Sequence, residues 1–301
     1  MLQSTRDSPG LEYIGRLVSR AEEWAWRNKD PVVEFLESSS GELVFIYNRL
    51  GYTAASILYW IITTLNPSKQ PVIQDSDTIA YYRLVYREPS TIVYFTTTGS
   101  DPALIRLCDA ARLTGSNVLL ITPPPPEPVS SMLRDTRVLE IPYMKEEVLT
   151  ALTESLLALY VGVEAYGLKG FRIDRLRENA REGFREILGE LYSKYGEALN
   201  QLYRADTITI TSTKFLEPIG YIFVEVFREI GKNASYIPVS LLKPKRGEKI
   251  LLLANSVEEH LVREKKMKAL LSGAQVIDIV MNTDPLESPI YLILLAIRLL
   301  H

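Results

Sequence analysis

The feature that most constrains this chain is a short apolar run followed at once by a helical pattern, repeated along its length. Ile92, Val93, Tyr94 and Phe95 form one such β-favouring run. Thr96, Thr97, Thr98, Gly99 and Ser100 follow directly. Asp101 and Pro102 then open a helix, with Asp suited to the N-cap and Pro to the first helical position. Ala103, Leu104, Leu107, Cys108 and Ala111 share one helical face, Gly115 ends the helix, and residues 118–121 read as the next buried strand. Strand, helix and strand in succession call for parallel strands, because only a crossover of this length joins them.

The same alternation extends in both directions. Helical spacing predicts helices over 11–28 and, separately, 32–36. A strand over 43–47, a helix over 51–65, a short strand over 71–73 and an irregular or helical connection over 75–87 follow. Beyond the opening unit lie a stiff Pro-rich loop over 123–128, a short helix over 129–135, a strand over 138–141 and a long helix over 146–166. A charged joint around Gly167 and Gly170 leads into helical pattern over 176–203, with a break expected near Gly189. Strands over 207–211, 235–238, 250–254 and 276–280 then alternate with helices over 218–230, 257–271 and 288–300, and Gly273 reads as a C-cap. The expected fold is α/β: two doubly wound parallel-sheet subdomains with flanking helices. Their expected bounds are an N-terminal helical segment 1–41, a first subdomain 42–166, a helical connection 167–204, and a second subdomain 205–301. The helices over 51–65 and 288–300 are apolar on most sides, which calls for burial, either in the core or against a second subunit.

Open α/β sheets bind ligands beyond the carboxyl ends of their strands. Two hydroxyl-rich turns fall there. Thr96 to Ser100 meets a helix N-terminus, whose free N–H groups and positive potential suit an anion; the simpler reading is that the turn only caps its helix. Thr211, Ser212, Thr213 and Lys214 form the second turn, with a cation. Arg49, in the turn after the first strand, is a further source of positive charge.

Other chemistries lack their residues. The net charge is −3, and the local basic run Lys243, Lys245, Arg246 and Lys249 is too short for a nucleic-acid stripe. Cys108 is the only cysteine and reads as a buried structural thiol. The two histidines, His260 and His301, give no zinc spacing and no Ser-His-Asp pattern. No metal, cofactor, nucleic acid or membrane is expected. The apolar run over 290–297 is too short to span a bilayer, and a cytoplasmic location follows.

This arrangement resembles the double SIS (sugar isomerase) domain family, and within it the archaeal-type bifunctional phosphoglucose/phosphomannose isomerases. The family's phosphate loop, Ser-x-Ser-Gly-x-Thr after a strand, matches Thr96-Thr97-Thr98-Gly99-Ser100-Asp101, where two threonines replace serines and Asp101 replaces the final threonine. Phe227-Arg228-Glu229-Ile230 resembles the segment carrying the family's catalytic glutamate. Residues 283–289 resemble the turn leading into its last helix. The likeness implies a sugar phosphate ligand, a homodimer, and aldose–ketose isomerisation of glucose 6-phosphate or mannose 6-phosphate to fructose 6-phosphate. It implies phosphate binding by Thr96, Thr97, Thr98, Gly99 and Ser100. It implies substrate contacts from Arg49, Gly51 and Lys214, and proton transfer by Glu229. The family's catalytic histidine falls at Lys245, its last-helix lysine at Leu294 or Leu295, and of its glycine-rich first turn only Gly51 remains. These departures open a second expectation, a non-catalytic sugar-phosphate sensor or a structural paralogue with a closed site.

Overall fold

The computed structural model describes residues 9–39, 41–134, 136–142 and 144–301. The chain forms two compact units, one of residues 20–183 and one of residues 184–301 together with the described residues up to Ser19. Helix α1 (Pro9–Glu37) is continuous, where the sequence pattern gives two helices. Pro31 lies inside it and removes a helical hydrogen bond. The buried residues Ile14, Val18, Ala21, Ala25, Val32 and Leu36 nevertheless keep one helical stripe across the proline. Burial of that stripe outweighs the local penalty, about 3 kcal/mol for an interior proline.

In the unit of 20–183, β1 (Glu42–Asn48), α2 (Tyr52–Leu65), β2 (Val72–Asp75), α3 (Ser76–Tyr82), β3 (Ser90–Thr96), α4 (Pro102–Thr114), β4 (Asn117–Thr122), α5 (Val129–Met132), β5 (Arg137–Glu140), α6 (Glu147–Glu164) and α7 (Phe171–Glu182) follow in turn. All five strands are parallel, in the order β2-β1-β3-β4-β5. The chain leaves β1 toward one edge and returns at β3 toward the other, so a topological switch point lies between these two strands. Asn48 is paired in register with Thr96, so the turns after β1 and β3 start at the same level. Strand β3 is buried at every position, as expected for the middle of a doubly covered sheet. On one face Val44, Ile46, Ile92, Tyr94 and Leu120 pack with Leu104, Leu107 and Cys108 of α4. Cys108 is the buried thiol the sequence suggests, and desolvation pushes it up to about 11. Helices α2 and α6 pack against each other, and α6 is buried along its length, which explains an apolar composition on all sides.

The other unit contains α8 (Leu188–Tyr203), β6 (Thr207–Ser212), α9 (Glu217–Glu229), β7 (Asn233–Tyr236), β8 (Lys249–Asn255), α10 (Glu259–Leu271), β9 (Gln275–Met281) and α11 (Ser288–Leu300). Its four strands are parallel in the order β7-β6-β8-β9, the same plan with one strand fewer, and its switch point lies between β6 and β8.

Expectations change at the joint and at the helical break, while the burial expected of two apolar helices is met. The charged joint after Gly170 is helix α7, and the segment read as a connection is divided between the units. The helical break falls at Gly183, whose φ of +80° stops α7, and not at Gly189, which lies inside α8. Helices α2 and α11 are covered within the chain, α2 by α6 and α11 by α8 and α9. Their apolar character is therefore accounted for without a second subunit.

Candidate functional site

At the first switch point the turns after β1 and β3 are tied together. Asn48 accepts the Arg49 N–H at 2.8 Å through Oδ1, and its Nδ2 donates to Asp101. The other Asp101 oxygen, Oδ1, accepts the Ala103 N–H at 2.7 Å, so Asp101 is the N-cap of α4. Both carboxylate oxygens are thus occupied. Asp101 caps its helix and ties two loops together.

The loop itself is folded through its hydroxyls. Thr96 Oγ1 donates to the Thr98 carbonyl at 3.2 Å, and the Ser100 N–H donates to Thr98 Oγ1 at 3.4 Å. The Thr98 and Ser100 hydroxyls pair at 3.0 Å, the first half-buried and the second exposed. A Cβ on Gly99 would sit 2.6 Å from the Pro123 carbonyl oxygen, so the Pro-rich loop packs directly on the cup. A Cβ on Gly51 would overlap the Phe95 carbonyl oxygen. Gly51 is buried there, against the backbone of β3. Tyr47 and Tyr52 on either side stack on each other with ring centroids 4.1 Å apart.

Two residues of α6 complete the site, and the sequence reading missed both. Glu147, in the first turn of α6, accepts the Thr97 hydroxyl through Oε1. Its Oε2 accepts Arg49 Nη2 at 2.7 Å. Arg49 has a φ of +51°, a left-handed conformation uncommon outside glycine, so its placement is held by these surroundings. Glu154, seven positions along the same helix, is fully buried, and neither of its carboxyl oxygens has a partner of good hydrogen-bond geometry. Burial pushes its pKa well above the ordinary 4.5; the Thr96 backbone N–H, too poorly placed for a good hydrogen bond, pulls weakly the other way, and the nearby Glu147 charge adds to the rise. A carboxylate inside an otherwise apolar helical run was the available signal for Glu154. Glu147 had none, because acidic residues in a first helical turn are ordinary.

The second hydroxyl turn, in the other unit, is closed by its own neighbours. Ser212 Oγ and the Tyr236 hydroxyl pair at 3.0 Å. Thr213 Oγ1 donates to Glu258 Oε2 at 2.9 Å, and Asn255 Nδ2 donates to the same oxygen at 3.1 Å. Lys214 forms an ion pair with Glu217. Tyr236 is pushed up to about 12, chiefly by burial, with Ser212 opposing and Glu217 assisting.

Glu229 is the last residue of α9 and is exposed. At a rise of about 1.5 Å per residue it lies roughly 18 Å along the helix from Glu217. Lys245 is also exposed, and its N–H donates to Glu248 Oε2 at 2.9 Å, just before β8 begins. Both therefore lie toward the amino-terminal edge of the four-stranded sheet, with Lys214 toward its carboxyl edge. Thr96 to Ser100, Arg49 and Gly51 are brought together at the other switch point.

No protein-family model matches this chain, and no curated protein sequence matches it. Solved structures do. A candidate phosphosugar isomerase of Silicibacter pomeroyi superposes with a TM-score of 0.70 at 14% identity, over 96% of this chain and 93% of that one. The C-terminal domain of glucosamine-fructose-6-phosphate aminotransferase from Francisella tularensis does so with a TM-score of 0.68 at 14% identity, over 99% and 97%. Tagatose-6-phosphate ketose/aldose isomerase of Escherichia coli gives 0.65 at 11% identity, over 96% and 90%. Two parallel sheets flanked by helices match these structures, so this chain has the fold of the SIS phosphosugar isomerases.

Proposed function

We propose that this protein binds a sugar phosphate at the turn of Thr96 to Ser100. One observation carries the reading: the Thr98 and Ser100 hydroxyls stand at the switch point of the five-stranded sheet, at the N-terminal end of α4, and among the described residues they bond only to the loop's own atoms. The helix end and two hydroxyls are suited to phosphate oxygens, and Arg49 supplies charge nearby. The named activities of the structural neighbours point to the same ligand class.

The reaction that fits is aldose–ketose isomerisation, of glucose 6-phosphate or mannose 6-phosphate to fructose 6-phosphate, by a cytoplasmic homodimer of the archaeal bifunctional type. The resemblance would give proton transfer to Glu229, ring opening to Lys245 and added charge to Lys214, but Glu229 and Lys245 lie toward the opposite edge of their sheet from Lys214, so these three do not form one site within their unit. A second reading, a sugar-phosphate sensor without turnover, is favoured by the exposure of Glu229 and Lys245 and by the absence of a histidine from either role. A coupled assay on fructose 6-phosphate with calorimetric titration separates the two. Turnover lost in Glu229→Gln supports the isomerase. Binding without turnover supports the sensor, and no binding contradicts both.

A further inference from the structure

Arg49 is the cation of the first switch point, and its guanidinium is engaged by Glu147. The same carboxylate holds Thr97, a residue of the proposed phosphate loop. With Asp101 two positions beyond Gly99, the seat carries two carboxylates against one guanidinium. A phosphate dianion entering it meets a net negative charge, and its one charged attraction there is direct contact with the Arg49 guanidinium, which Glu147 holds. Glu147 is only 16% exposed through its side chain and Arg49 48%, so the carboxylate is the fixed member and the guanidinium the one with room to move.

We infer that Glu147 is an internal stand-in for the ligand's phosphate. Its carboxylate occupies Arg49 while the seat is empty, and binding is an exchange in which Arg49 passes from Glu147 to the phosphate. Glu147 remains bonded to Thr97 and keeps the loop in shape. This makes Glu147 the residue that sets how strong an anion the seat admits: the incoming group must out-compete a carboxylate for the guanidinium, which a doubly charged phosphate monoester does and a weaker anion does not. The inference rests on the sugar-phosphate reading above.

The test is calorimetric titration of inorganic phosphate and fructose 6-phosphate into the wild-type protein, Glu147→Gln, Arg49→Ala and the double variant. A glutamine keeps an oxygen for the Thr97 hydroxyl and removes the competing charge. Glu147→Gln should bind phosphate about tenfold more tightly, the scale of one charge-assisted hydrogen bond. Arg49→Ala should weaken binding, and in the double variant the gain should vanish. In the wild-type protein, arginine side-chain NMR should show the Arg49 guanidinium resonance shift on phosphate addition, which reads the exchange without any substitution. Wild-type binding with unchanged or weaker binding in Glu147→Gln, or a stationary Arg49 resonance at saturation, overturns the exchange and leaves the sugar-phosphate reading standing. Absence of binding by wild type and Glu147→Gln alike overturns both.

Discussion

The two hydroxyl-rich turns of this chain have the same address in their sheets and opposite fates. Each follows the strand at a switch point, and each has an asparagine at the end of the neighbouring strand, Asn48 in one unit and Asn255 in the other. In the first, Asn48 engages the helix cap Asp101, and the hydroxyls of Thr98 and Ser100 pair with each other. In the second, Asn255 and Thr213 converge on Glu258, Ser212 is paired with Tyr236, and Lys214 is paired with Glu217. Hydroxyls after a strand are therefore not by themselves a ligand site. Carboxylates have taken donors in both, Glu147 at Thr97 and Glu258 at Thr213; what separates the turns is that Thr98 and Ser100 pair with each other, whereas Ser212 is paired with Tyr236.

The largest expected effect tests that separation. Thr98→Val combined with Ser100→Ala removes two hydroxyls that would each donate to a charged phosphate. At about 1.5–3 kcal/mol per bond, fructose 6-phosphate affinity should fall by about a hundredfold or more in a titration. Thr213→Val in the second turn should leave that affinity unchanged and cost about 1 kcal/mol of stability in denaturant unfolding. Equal losses of affinity from both turns would break the comparison.

A smaller effect distinguishes what lies beneath the turns. The second turn rests on paired carboxylates, whereas Glu154 near Thr96 is buried without a partner of good hydrogen-bond geometry. Its folded-state pKa is raised, so the folded protein holds this proton more strongly than the unfolded chain. The contribution to stability is complete below the ordinary value of 4.5 and is lost as the pH rises through the folded value. Glu154→Gln cannot ionise. It should be more stable than wild type by about 1–3 kcal/mol at pH ~8, with the difference shrinking toward pH ~4, as followed by thermal or urea unfolding. A pH-independent difference would mean that Glu154 does not titrate on folding.

Much of this molecule was legible in the sequence, for reasons that differ by element. Strand β3 and helix α4 were readable because an apolar run, an Asp-Pro start and a Gly stop act locally. The unbroken α1 was not, because the penalty at Pro31 is local while the burial that overrides it comes from tertiary packing. The turn of Thr96 to Ser100 was readable as the end of a strand meeting a helix start, and it lies at the switch point of its sheet. Glu147 was invisible because its partners Arg49 and Thr97 are 98 and 50 positions away, and only the register of β1 with β3 brings those two to one crevice. Gly51, read as a site of sugar approach, proves to be the place where one backbone meets another. A glycine's need for space is visible in a sequence, and the neighbour that fills the space is not.

The central claim is that the first turn is an open anion seat and the second a closed one. The most direct measurement is backbone amide NMR of the whole chain during titration with inorganic phosphate and fructose 6-phosphate. The account predicts saturable shifts at Thr97, Thr98, Gly99, Ser100 and Arg49, with the amides of Ser212, Thr213 and Lys214 unmoved. Shifts centred on Ser212 to Lys214, with Thr98 to Ser100 silent, would contradict it.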